Sequence, residues 1–181
     1  MKLWLVRHAQ PLVEAGICYG STDMAADASA TQQAALALVR VLPPGVRLVS
    51  SPLQRCRQLT QALCLLRPDL SDSHDARLAE MDFGCWEGQR WDAIPQADID
   101  RWTADFGGHR FGGRMSVHEF MARVTPAWDE AQQAGQERVW ITHAGVIRAA
   151  TLLSQGVRQI DLAAQWPQQA PAFGCWHVLP A

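Results

Sequence analysis

Arg7 and His8 interrupt an apolar run, Leu3–Val6, at the point where a buried strand would surface. A second histidine, His143, ends the apolar stretch "VWIT" (Val139–Thr142) and precedes Ala144-Gly145 and a helical pattern. Arg55, in "SSPLQRCRQL", falls in the first turn of a predicted helix that follows another short apolar run. Helix N-termini favour anions through their free N–H groups and dipole, and an arginine adds a planar fork for phosphate oxygens. Four cationic or potentially cationic groups at strand ends therefore suit a dianion such as a phosphoryl group. Zinc would prefer histidine pairs three to five apart or cysteine clusters, and the sequence contains neither, so no metal or other cofactor is expected.

Phosphoryl chemistry needs a nucleophile and a proton donor. Neutral imidazole is a good nucleophile near pH 7, which makes His8 the candidate, with Arg7, Arg55 and His143 holding the equatorial oxygens. A departing alkoxide needs a proton, which a carboxylic acid of raised pKa can supply. The stretch "LAEMDFGCWEG" offers Glu80, Asp82 and Glu87. Burial of Glu80 among Leu78, Met81, Phe83 and Trp86 would raise its pKa, yet residue types alone do not choose among the three acids.

The elements that must position these groups can be read from period and punctuation. Leu3–Val6 is a strand; Asp27 caps a helix running to about Leu42, with Ala34, Leu38 and Val41 or Leu42 on one face, and Pro43–Gly45 stops it. Arg47–Ser50 is a second strand. Ser51-Pro52 then signals a cap and first turn, and the helix that follows buries Cys56, Leu59, Leu63 and Cys64. Ser116 and Glu119 form a capping box for a helix with Val117, Phe120, Met121, Val124 and Trp128 inward, which Pro126 should kink or interrupt. Val139–Thr142 is a parallel-type strand, the next helix carries Val146, Ala149, Ala150 and Leu153 on one face, and Trp176–Leu179 is a last strand. The alternation predicts an α/β fold of three layers, a largely parallel sheet flanked by helices. Ligands in such folds sit at the carboxyl ends of strands, which gives Arg7, His8, Arg55 and His143 one address. Residues 91–115, with the Gly-rich "GGHRFGG", are a candidate lid over it.

Composition narrows the function classes. The 181 residues fit one domain; 48% apolar and 19% charged content are ordinary globular values, and a net charge of −2 gives no electrostatic reason to expect nucleic acid or a membrane as partner. Eight tryptophans should pack or line a pocket. Five scattered cysteines without a CxxC pair read as reduced thiols of a cytoplasmic protein. No apolar stretch approaches the roughly 20 residues that span a bilayer, and the opening residues do not form a signal peptide pattern. His74, His109, His118 and His177 match no motif and read as surface or core histidines.

"LVRHAQP", "SSPLQRCRQL", "LAEMDFGCWEG" and "VWITHAGVIRA", in this order, resemble the histidine phosphatase superfamily, which includes cofactor-dependent phosphoglycerate mutases. The resemblance implies a phosphoglycerate mutase-like domain over residues 1–181 and a metal-independent phosphomonoesterase acting on a small phosphorylated metabolite. It makes His8 the residue that becomes phosphohistidine, assigns Arg7, Arg55 and His143 to the phosphate pocket, and gives Glu80 the proton donor and acceptor role. Glu87 is then a structural or supporting group. The stretch "GICYGSTDM", Gly16 to Met24, resembles the loop of α-ribazole phosphatases of cobalamin assembly, which implies α-ribazole 5′-phosphate as substrate and places Tyr19, Gly20 and Ser21 on the substrate side. Two alternatives stand beside this reading. One is a phosphoglycerate mutase-type transferase, for which the chain lacks the basic insertions; the other is a non-catalytic phospho-ligand-binding module, which would ordinarily have lost the histidine or the acid. The chain departs from the family pattern at Ala9, where Gly is usual, at Glu14, at Ala30 and at Met115, and nothing in it speaks to oligomeric state.

Overall fold

The computed structural model describes residues 2–180. Strands β1 (Lys2–Arg7), β2 (Arg47–Ser50), β3 (Ser71–His74), β4 (Arg138–Thr142) and β5 (Trp176–Pro180) form one sheet in the order β3-β2-β4-β1-β5. All pairings are parallel except β5 against β1. The predicted α/β class is thus observed, and the period-2 alternation explains its three layers. Leu3, Leu5 and Trp140 face helices α4 (Val117–Gln133) and α5 (Ala144–Ser154). Trp4, Val6, Val139 and Ile141 face α1 (Ala28–Leu38) and α2 (Gln54–Leu66) on the other side. No described helix is long and apolar enough to cross a membrane.

Several local expectations are corrected. Asp27 does cap α1, its carboxylate accepting from Ala30 N at 2.7 Å, but the α-helix ends at Leu38; turns then carry the chain to Leu42, which is buried while Val41 is exposed. Ser51-Pro52 does not cap α2, which begins at Gln54; Asp23 from a distant loop accepts the Gln54 N–H at 2.6 Å instead. Cys64 is only half-buried. The capping box of Ser116 and Glu119 is present, but α4 runs unbroken through Pro126. The lost N–H is outweighed by an inward face of Phe120, Met121, Val124, Ala127, Trp128 and Ala131. Strand β3, "SDSH", has no apolar alternation to announce it: it is an exposed edge, held by its ladder to β2.

Candidate active site

Because β1, β2 and β4 run parallel, their carboxyl ends lie on one edge of the sheet, and the ladder to β4 extends one residue beyond β1 and β2. His8 N donates to Thr142 O at 3.0 Å and Ser51 N to Ile141 O at 2.9 Å. This places the His8 and His143 rings side by side, with centroids 5.1 Å apart.

His8 is almost wholly buried. Its Nδ1 lies 2.7 Å from the Ala9 carbonyl oxygen, which can only accept, so Nδ1 carries the proton and Nε2 keeps its lone pair. Arg55 Nε donates to that Nε2 at 3.3 Å. Burial, then the Arg55 charge, then that of Arg7, push His8 down from 6.5 to about 3 against the opposing Ala9 bond. Ala9, itself buried, thus sets the tautomer through its backbone, which a Gly would do equally. His143 is also held neutral, by burial first and then by Arg55, His8, Arg123 and Arg7. Its Nε2 lies 2.8 Å from Ser51 Oγ, and its Nδ1 is buried with no partner.

The arginines are fixed by neutral groups. Arg55, fully buried on the first turn of α2, donates to Gly20 O at 2.6 Å and to Thr22 O at 2.8 Å. That loop is in turn held by Glu87, which accepts from Ser21 N at 2.8 Å, Thr22 N at 2.7 Å, Phe83 N at 3.0 Å and both hydroxyls. Burial alone would raise Glu87, but the Thr22, Phe83 and Ser21 bonds outweigh it and hold the carboxyl below its ordinary range. A Cβ at Gly20 would sit 1.9 Å from Met81 O, so only glycine lets the loop approach. Arg7 donates to Pro171 O at 3.0 Å, and burial lowers its pKa against the pull of Tyr19 and Glu80.

Glu80 is half-buried, and both oxygens accept backbone N–H groups: Oε2 from Gly145 at 3.0 Å and Oε1 from Met81 at 3.1 Å. Gly145 lies in the first turn of α5, so Glu80 satisfies a free helix donor from outside the helix. A Cβ on Gly145 would fall 2.2 Å from Oε1, which explains the small residue at this point of "THAG". Arg123 of α4 ties the acid's backbone down, donating to Glu80 O at 3.1 Å and to Ala79 O.

Arg7, His8, Arg55 and Glu80 open onto a cavity of about 320 Å³, while His143 stays behind its wall. Arg7, His8, Tyr19, Arg55 and Glu80 line one end; Trp91, Trp102, Phe106, Phe120 and Trp166 line much of the rest. Residues 91–115 supply Trp91, Trp102 and Phe106 of this aromatic roof, through a 3-10 turn at Trp91–Ala93, helix α3 (Gln96–Ala104) and the loop after it, with Phe111 stacked on Trp102 at 4.3 Å.

The structure therefore brings Arg7, His8, Arg55, Glu80 and His143 together, and adds Tyr19 as a wall. Gly20, Ser21 and His143 do not line the cavity: the Gly20 carbonyl holds Arg55, Ser21 turns to Glu87, and His143 is buried beside His8 with its Nε2 at Ser51 Oγ. Asp82 is spent on Gly84 N and Arg114, Glu14 is exposed, and Met115 packs against the core. His109 is not on the cavity wall. Sequence reasoning missed Arg123, Trp166 and Phe173, which lie in no recognisable motif and reach the site only through long-range packing, and it gave no role to Arg148, which stands within "VWITHAGVIRA" one turn into α5.

Comparison with known proteins agrees with this geometry. The family model described as histidine phosphatase superfamily (branch 1) matches residues 3–171. A Hydrogenobacter thermophilus protein named "Putative phosphoserine phosphatase 2" is 29% identical over 164 residues, covering 86% of this chain and 79% of its own. Among solved structures, TTHB049 from Thermus thermophilus is 28% identical with a TM-score of 0.71, covering 99% of this chain and 93% of that one. The α-ribazole phosphatase of Shigella flexneri superposes with a TM-score of 0.80 at 20% identity, over 98% and 89% of the two chains. The mycobacterial glucosyl-3-phosphoglycerate phosphatase in complex with VO3 gives 0.81 at 22%, over 99% and 92%. At the identities of these last two, the likeness is one of fold.

Proposed function

We propose, from the premise that this chain belongs to the histidine phosphatase superfamily, that it hydrolyses phosphate monoesters through a phosphohistidine formed on His8. The observation that carries the reading is His8 Nε2, unprotonated at the cavity's polar end with Arg7, Arg55 and Glu80 around it. Nε2 attacks phosphorus while the ester P–O bond breaks, and Glu80 in its protonated form gives its proton to the leaving alkoxide. Water then attacks phosphorus, Glu80 takes the proton back, and the N–P bond breaks to release inorganic phosphate. Arg7 and Arg55 hold the non-bridging oxygens as charge builds. His143, behind the cavity wall with its ring 5.1 Å from that of His8 and its Nε2 beside Ser51 Oγ, packs against the nucleophile's ring. No step calls for a metal, so activity should persist in EDTA.

Rapid-quench labelling with a radiolabelled monoester tests this. Wild type should yield acid-labile phosphohistidine, and His8→Ala should lose the label and at least about a thousandfold in turnover. Undiminished hydrolysis in His8→Ala would move the nucleophile elsewhere.

For the leaving group, α-ribazole 5′-phosphate fits best: its aromatic base suits the tryptophan- and phenylalanine-lined part of the cavity, and the Gly16–Met24 loop points the same way. One observation favours a second reading, an acidic leaving group such as that of phosphoserine. Arg148 lines the cavity with no carboxylate of the described residues paired to it, and the Hydrogenobacter relative carries that substrate in its name. The ratio of kcat/KM for α-ribazole 5′-phosphate over phosphoserine and 3-phosphoglycerate decides between them.

A further inference from the structure

The segment leading into β5 carries no catalytic motif, and from Ala172 onward it lies beyond the stretch matched to the family. It nevertheless touches both the nucleophile and its clamp. The Arg7 guanidinium carbon sits 3.8 Å from the centroid of the Phe173 ring, and the same ring lies 5.4 Å from that of His8, tilted by 40°. Pro171 O accepts from Arg7, Gly174 N donates to His8 O at 3.0 Å, and Arg7 N donates to Cys175 O at 3.0 Å.

We propose that Phe173 is a positioning residue, holding the Arg7 guanidinium in its phosphate-binding orientation by stacking under it. This rests on the phosphatase reading above. Among the described residues no carboxylate lies within ion-pairing distance of Arg7. A carboxylate there would orient the side chain but cancel its charge and compete with phosphate for its donors. An aromatic face and a carbonyl orient it without neutralising it. Arg7 lines the cavity, so the guanidinium donors not spent on Pro171 are left for an incoming oxygen. Phe173 is half-buried and belongs to none of the buried apolar clusters of the core.

The experiment measures binding of inorganic phosphate and of orthovanadate by tryptophan fluorescence, together with kcat and KM for p-nitrophenyl phosphate. Phe173→Leu should raise the phosphate Kd and the KM about three- to tenfold, with a much smaller change in kcat. Phe173→Tyr, which keeps the ring face, should restore both constants, and in an Arg7→Lys background Phe173→Leu should add little. Phe173→Met replaces the leucine variant if that one does not fold. Wild-type phosphate affinity in the leucine or methionine variant overturns the proposal, as does a defect that tyrosine fails to rescue or that adds in full to Arg7→Lys. If the wild type binds neither anion, the phosphatase reading itself falls, and the role of Phe173 with it.

Discussion

The two ends of the cavity are built in opposite ways. The polar end stands on three parallel strand termini, where β1, β2 and β4 deliver His8, Ser51 and His143 with positions set by the sheet. The aromatic end is a roof assembled from segments far apart in the chain: residues 91–115, Phe120 on α4, and Trp166 before β5. A rigid sheet edge suits groups that must meet phosphorus in one geometry, whereas a roof of loops and short helices can vary its side chains without moving the nucleophile. Changes at the groups that hold or attack the phosphoryl group should therefore impair every substrate alike, a change at Glu80 should follow the leaving group's need for a proton, and changes in the roof should sort substrates by shape.

The largest effect expected from this contrast is at the acid. Glu80→Gln should lower turnover of alkyl phosphates by about a hundredfold, and far less for p-nitrophenyl phosphate, whose leaving group departs without protonation. Gly145→Ala should show the same leaving-group signature in weaker form, since its methyl would displace the Glu80 carboxylate. Equal losses on both substrates would mean that Glu80 binds rather than protonates.

Next in size is the cost of keeping two histidines buried and neutral. His8, held near 3 when folded, binds a proton in the unfolded chain below about 6.5, so the unfolded state holds more protons across that window. Stability is therefore full above pH 6.5 and falls as the pH drops towards 3. For His8 the loss between pH 7 and pH 5 is on the order of 2 kcal/mol, about thirtyfold in the folding equilibrium, and His143 adds in the same direction. Urea unfolding at the two pH values should show it, and His8→Asn should shrink it; a pH-independent midpoint would contradict the burial described.

The smallest effect tests the roof. Trp102→Leu should raise KM for monoesters with aromatic leaving groups by up to about tenfold while leaving the affinity for inorganic phosphate unchanged. If phosphate binding weakens equally, the two ends of the cavity are not independent.

How far the sequence could be read differs between the same two regions. Strand β1, strand β4 and their terminal His8 and His143 were legible because an apolar run that stops on a polar pair is a local signal, and Arg55 followed from its place in the first turn of a helix. The choice of Glu80 over Asp82 and Glu87 was not local: residue types left all three open, and the family resemblance made the assignment. The fold gives each acid its own partners, Gly145 for Glu80, Gly84 and Arg114 for Asp82, and the Ser21-Thr22 loop for Glu87. Strand β3 and the continuity of α4 through Pro126 were likewise decided by neighbours.

By itself, then, the sequence determined the α/β alternation, the polar breaks at strand ends and the anion-seeking character of the site, because period, apolar runs and charge are properties of contiguous residues. Only the tertiary structure decided that Ala9 O sets the His8 tautomer, that Glu87 holds Arg55 through a loop, and that Phe173 lies under Arg7. The last two join residues more than thirty positions apart, and the first depends on how the backbone turns at the end of β1. Interactions of that kind depend on packing, which no local pattern encodes.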